Sequence, residues 1–558
     1  MPKKLLQLIL LFLIIHLNGL AQQWNGYTYY SNTNSTTGYL IDTNSVNIKT
    51  YTFNVGTGYS THFMPGGDFV RSCRYPSNVL TGGGMTGQLQ KLDYNGNLLW
   101  SWVYSSATYC LHHDHCILPN GNILVICYDV RDANHLANVG STSTLTSMQS
   151  EKIMELKPIG SNSVEVVWEW KVWDHLVQNV TPTLSTYQSS IVNHPELFNI
   201  NYQPKKDWLH MNGIDYNPIL DQIAFSSHNL NEWYIIDHST TTAEAAGHSG
   251  GNAGKGGDLL YRWGNPAAYQ ASGTTILNVT HDAHWIPEGI SNAGNISGVN
   301  NKGVTSPSNK TCADEIVPPR SNYNYTINLG SAFSPSTYVY RHQSSGYTSN
   351  MGSVEEYPNG NRMICLATVG SIYEIDAAGN TLWTKSTLGS CPQAHRYTTC
   401  YLTNPAPAQP SISLVGNDLQ STTGVTYQWY LNGNLISGAT NQLYTPAQAG
   451  IYVVRTTDVN GCVYVYSPGF QYGAPIGIAE QKIDDLIQIY PNPTSGEIFI
   501  ETELKEFEYK LISITGALIQ SGKNEGSVNL TTYESGLYFL HIISNVKGSF
   551  VKMISVTK

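Results

Sequence analysis

Short apolar stretches separated by turn-forming residues run from Trp24 to about Asn404, and the alternation repeats. In one recurring unit a strand ends in an acidic residue, a Gly or Asn turn follows, and the next strand carries tryptophan. KLDYNGNLLWSW from Lys91 and YEIDAAGNTLWTK from Tyr373 show it, with looser forms at Glu155 and Ile235. In a second unit a Pro-containing turn joins two strands, as in MPGG at Met64, LPNGN at Leu118, NPILD at Asn217, IPEG at Ile286 and YPNGN at Tyr357. Together they make four strands per repeat, the content of a β-propeller blade. Repeats begin near His62, His113, His210, His281 and Gly352. A further repeat closes if the hairpin from Gly38 to Phe53 pairs with HRYTTCYL from His395, removing exposed sheet edges. Six blades are expected, with seven the nearest alternative.

After the Pro/Ala linker Asn404 to Pro410 the pattern changes. Tyr427 to Val463 alternates apolar and polar residues around an Asn-Gly turn at Asn432, with Tyr452 on a late strand; residues 411–472 resemble an immunoglobulin-like module. Residues 478–558 read as a small β-sandwich of about seven strands. The N-terminus has a basic start, an apolar run from Leu5 to Leu17 and small residues at Gly19 and Ala21. It reads as a signal peptide, residues 1–21, because the run is too short to span a bilayer. The expected class is all-β: a six-bladed propeller over 22–404, then the two sandwiches.

Composition fits export. Only 12% of residues are charged, and Gly, Tyr, Asn, Thr and Ser are abundant. The net charge of −10 is mild, and no Lys/Arg run lies beyond the first residues, so no nucleic-acid surface is expected. No other stretch approaches membrane-spanning length, so the chain is not read as an integral membrane protein. Nine cysteines are too few for a disulfide scaffold; Cys110 with Cys116 and Cys391 with Cys400 are the nearest pairs.

Of 17 histidines, 15 lie between His62 and His395. His113 in HHDHCILPNGN and His281 in THDAHWIPEG share a His-Asp, apolar pair, Pro-turn order, and His210 precedes an equivalent strand. Successive repeats facing one axis would bring the three together. These segments, with Asn212 in HMNGIDYNPILDQIAFSS, resemble the bacterial arylsulfate sulfotransferase family over most of Trp24 to Asn404. The resemblance implies ping-pong transfer of a sulfuryl group from a phenolic sulfate donor to a phenol acceptor, without nucleotide or other cofactor. His281 would carry the group as a sulfohistidine, and His113, His210 and Asn212 would bind its oxygens. Where the family has an arginine this chain has His228: either a neighbour such as Glu232 holds it protonated or transition-state stabilisation is weaker, and the change equally fits a different substrate or loss of transferase activity. Asp282 is a candidate to orient His281. Tyr490 to Gly496 (YPNPTSG), with Gly536-Leu537-Tyr538 and Lys552, resemble the type IX secretion sorting domain, implying that machinery as partner and a secreted or cell-surface destination.

Two other classes compete. Imidazoles and carboxylates at His112 to His115, with His210, His281 and His284, have the donor types for zinc or copper. In a regular strand His113 and His115 share a face and His112 does not. A non-catalytic surface propeller binding glycans or aromatic ligands is the third reading. Substrate choice is expected to lie in inserts at Leu136 to Met148, Ala243 to Gly257 and Ser291 to Pro318.

Overall fold

The computed structural model describes residues 22–327, 329–473, 487–502, 504–514, 517–544 and 548–558; the signal-peptide assignment falls outside them. Among the described residues, six four-stranded antiparallel sheets occupy 27–397. Four are built from consecutive strands and begin at Thr57–Phe63, Tyr109–Ile117, Met211–Asn217 and Ser353–Glu356; the one that begins at Thr280–Trp285 takes its last strand, Tyr340–Gln343, after an intervening two-stranded hairpin, Arg320–Ser321 with Asn324–Tyr325. The sixth takes its first strand, Ala394–Tyr397, from the far end of this region and the other three from the near end. Each first strand packs against the next. Ser353 and Ala394 hydrogen-bond across one gap, and the Phe63 amide donates to the Tyr397 hydroxyl across the last, so the series closes on itself.

The repeated motifs have physical causes. Asp93 Oδ1 accepts from the amides of Asn95 and Asn97, and Asp376 Oδ1 accepts from those of Ala378 and Asn380. The turns these carboxylates hold place Gly96 at φ 88° and Gly379 at φ 86°, where a side chain is strained. The tryptophans pin neighbouring sheets: Trp100 Nε1 donates to the Ser163 carbonyl, Trp168 to Thr240 and Trp383 to Ser45.

Closure differs from the expectation. Tyr27–Ser31, not the hairpin after Gly38, pairs with Ala394–Tyr397, and that hairpin forms the outer strands of the same sheet. A polar segment also proved misleading: Ser291 to Pro318 is no insert but contains the two middle strands of the fourth sheet, Ile296–Val304 and Lys310–Ile316. Cross-strand pairing there outweighs a Gly/Asn-rich sequence of weak strand propensity. The disulfide is Cys400–Cys462, while Cys110, Cys116 and Cys391 are free, so neither sequence-local pair forms.

The described residues divide into two compact units, one within 22–445 and 452–470, the other within 446–451 and 471–558. In the first, Tyr427–Leu431 pairs with the strand carrying Tyr452, and Trp429 is fully buried beneath it. The second holds a sandwich of three-stranded and four-stranded sheets around Ile498, Tyr509, Leu511, Leu540 and Ile554.

Candidate active site

The first strands bulge where the chemistry-bearing residues lie. Pairing runs from Leu111 opposite Cys127 to His115 opposite Val125, so His112, His113 and Asp114 face a single partner residue. In the third sheet Asn212 is the extra residue, and in the fourth Asp282 and Ala283 together face Gly298. His113 (φ 52°), His210 (φ 56°) and Asp282 (φ 60°) adopt left-handed backbone there. Such conformations cost about 1–3 kcal/mol each for non-glycine residues and concentrate where side chains must be re-aimed.

The result is a chain of imidazoles. Ring centroids are 4.7 Å apart for His113 and His210, 4.8 Å for His210 and His228, and 5.5 Å for His228 and His281. Strict alternation fails: His112 Nδ1 lies 2.9 Å from His113 Nδ1, whereas His115 turns away to Ser60. The donor set HHDH is therefore split between two places, and His284 pairs elsewhere with Glu356.

The protonation of His281 follows from its partners. Asn301 Nδ2 donates to the carbonyls of Thr348 and Met351 at 3.1 and 2.8 Å, which fixes its Oδ1 as the acceptor 2.7 Å from His281 Nδ1. The Met351 amide donates to His281 Nε2 at 3.0 Å. Nδ1 therefore carries the proton and Nε2 the lone pair. Burial, then the field of His228, pushes the ring's pKa well below the usual histidine value, so it is neutral at pH 7. Burial and His210 do the same to His113, and hold His228 at about 4.

Three expectations fail. Glu232 does not touch His228, because it forms a buried pair with Arg262. Asp282 does not orient His281, since its carboxylate accepts from the Val354 amide and Gln393. Asn212 is not aimed at the cluster: its Nδ2 donates to the Thr280 carbonyl and its Oδ1 accepts from Ser226, tying the third sheet to the residue before His281.

Several contributors had no signal beside the histidines in sequence. Asp207 Oδ2 lies 2.7 Å from His210 Nδ1, leaving Nε2 for the cluster. The Tyr59 ring packs edge-on against His113 with centroids 5.0 Å apart. Thr81 to Gly84 forms a cover, held by Gln149 on the Thr81 carbonyl, Tyr128 on that of Gly83 and the His113 amide on that of Gly84. A Cβ at Gly83 would meet His210 at 2.0 Å, and one at Gly84 would meet His113 at 2.1 Å, so only glycine fits against the rings.

A family model described as arylsulfotransferase (ASST) matches residues 77–391, more than half of the chain. Another, the secretion system C-terminal sorting domain, matches residues 488–557. No curated protein matches. Among solved structures, a protein of unknown function from Bacteroides caccae is similar at 13% identity and a TM-score of 0.38, covering 67% of this chain and 99% of that one. The Cps50 (Swd1) β-propeller domain from Myceliophteria thermophila is similar at 8% identity and a TM-score of 0.32, covering 65% and 90%.

Proposed function

The chain belongs to the arylsulfotransferase family, and we propose from this premise that it moves a sulfuryl group between phenols through His281 Nε2. Its last segment is a type IX secretion sorting domain, which directs it to the cell surface or beyond. Among the described residues no helix is long and apolar enough to cross a membrane.

The observation that carries the reading is the fixed, neutral state of His281 within a line of imidazoles. In the first half-reaction the Nε2 lone pair forms an N–S bond as the S–O bond to the aryl group breaks, and the electron pair leaves on the phenolate. Asn301 Oδ1 keeps hold of the Nδ1 proton as the ring becomes cationic. In the second, an acceptor phenol gives up its proton to water as its oxygen attacks sulfur, the S–N bond breaks and the neutral ring returns. Charge on the non-bridging oxygens is met by His113, and by His210 and His228 once the bound anion draws a second proton onto their Nε2 atoms, since Asp207 and Asn229 already take the Nδ1 protons; the stabilisation is by positioning and electrostatics, as in phosphoryl transfer. With a neutral His228 in place of an arginine, the positive charge felt at that ring is that of Lys205, which helps depress it.

Two events must precede attack: the Thr81–Gly84 cover moves aside, and the Met351 amide releases Nε2. The test is transfer from a chromogenic aryl sulfate to a second phenol. Ping-pong kinetics with loss of all transfer in His281→Ala supports the reading; retention of aryl sulfate without turnover supports the binding alternative instead.

A further inference from the structure

The His-Asp pairs that recur in the sequence serve the imidazole cluster with their first residue only. Asp114 and Asp282 point elsewhere, and both accept from Gln393 Nε2, at 3.2 Å each. Three more histidines gather at Asp114. His62 Nε2 lies 3.0 Å from Asp114 Oδ1, and the His62 ring centroid is 4.9 Å from those of both His115 and His395. One donor atom each from His62, Asp114 and His115 falls within 4.8 Å of the others.

We propose that this cluster binds a divalent transition-metal ion of the zinc type through His62 Nε2, the Asp114 carboxylate and His115, with His395 beside them. Two imidazoles and a carboxylate form a donor set suited to zinc, whereas calcium and magnesium prefer all-oxygen surroundings. His115 supplies an independent sign: its Nδ1 is held by Ser60, while Nε2, in a residue 1% exposed, has no hydrogen-bond partner. A buried ring nitrogen without a partner is costly, and ligation of an ion satisfies it.

Access points the same way. A cavity of about 730 Å³ opens onto His62, Asp114 and His395 and leaves room for a water ligand. Because Asp114 follows His113 directly in the bulge, an ion there would also brace the backbone that aims His113.

The experiment uses the full mature chain, stripped with a chelator, dialysed and titrated with ZnCl2 by calorimetry, with CaCl2 as comparison and elemental analysis after gel filtration. One zinc per chain and no calcium are expected, with the thermal midpoint rising on zinc addition. H62A and D114N should each weaken zinc by more than the roughly 10–100-fold that loss of an outer partner costs, while His281→Ala should bind as tightly as the parent. The His62 side chain is 25% exposed, so H62A is the variant least exposed to misfolding and decides the matter if D114N unfolds. Absence of saturable zinc binding, calcium preferred to zinc, or an ion retained by H62A and lost in His281→Ala overturns the proposal.

Discussion

Asn301→Ala removes the group that sets the His281 tautomer. The side chain is fully buried and makes three bonds: it accepts from His281 Nδ1 at 2.7 Å and donates to the Thr348 and Met351 carbonyls at 3.1 and 2.8 Å. Truncation leaves buried groups unpaired, at about 1–3 kcal/mol of stability for each such group. The kinetic effect is separate. Without the acceptor the ring proton is free to sit on Nε2, which then has no lone pair for sulfur, and the ring loses its orientation. Taking the loss as about 1.5–3 kcal/mol of transition-state stabilisation, kcat falls roughly 10–100-fold at about 1.36 kcal/mol per tenfold. Steady-state transfer from an aryl sulfate, at a temperature where the variant stays folded, should show the loss in kcat with KM little changed. Asn301→Asp keeps an acceptor but adds a charge that favours the protonated ring, so it should bring an acid limb into the pH profile near neutrality. Wild-type kcat in Asn301→Ala, or a loss confined to KM, refutes the argument.

Gly84→Ala should lower both the thermal midpoint and kcat, because its Cβ would lie 2.1 Å from the His113 ring at a backbone φ of 60°; calorimetry and the transfer assay together check it. The pH–rate profile should stay flat through the ordinary histidine range, with its acid limb only where His281 gains a proton, well below that range; a limb near pH 6.5 contradicts the buried neutral state. His228, held at about 4, gives a stability signature. Its folded pKa lies below the unfolded value of about 6.5, so its contribution is complete above pH 6.5 and is lost as pH falls towards 4, which urea unfolding at a series of pH values would show. Cys400→Ser should cost up to about 4 kcal/mol in the chain-entropy picture of a loop this long, since the bond joins cysteines 62 residues apart, and a lower midpoint in urea measures it.

The sheets were legible because their turns are chemical: Asp with Gly three residues on, and Pro two before Gly, can be read as letters. The starts near His62, His113, His210, His281 and Gly352 lie in or beside the observed first strands. The fourth sheet's middle strands were hidden because pairing, not propensity, makes them. At the site, the histidines were visible as residue types in matching places, and the structure brings His113, His210, His228 and His281 into contact. Their environment was not visible. Bulges break the two-residue period, so His112 joins His113 and His115 leaves it. Asn301, Met351 and the Thr81–Gly84 cover come from other repeats, and no local pattern marks a residue whose role is a hydrogen bond across sheets. Glu232, four residues from His228, was the obvious local partner and lost to a buried arginine.

The most direct test of covalent transfer through His281 is mass spectrometry of the chain after brief exposure to an aryl sulfate. A sulfuryl adduct on the peptide holding His281, absent in His281→Ala and discharged by added phenol, is the predicted result. Turnover with no such adduct, or an adduct placed on another histidine, contradicts it.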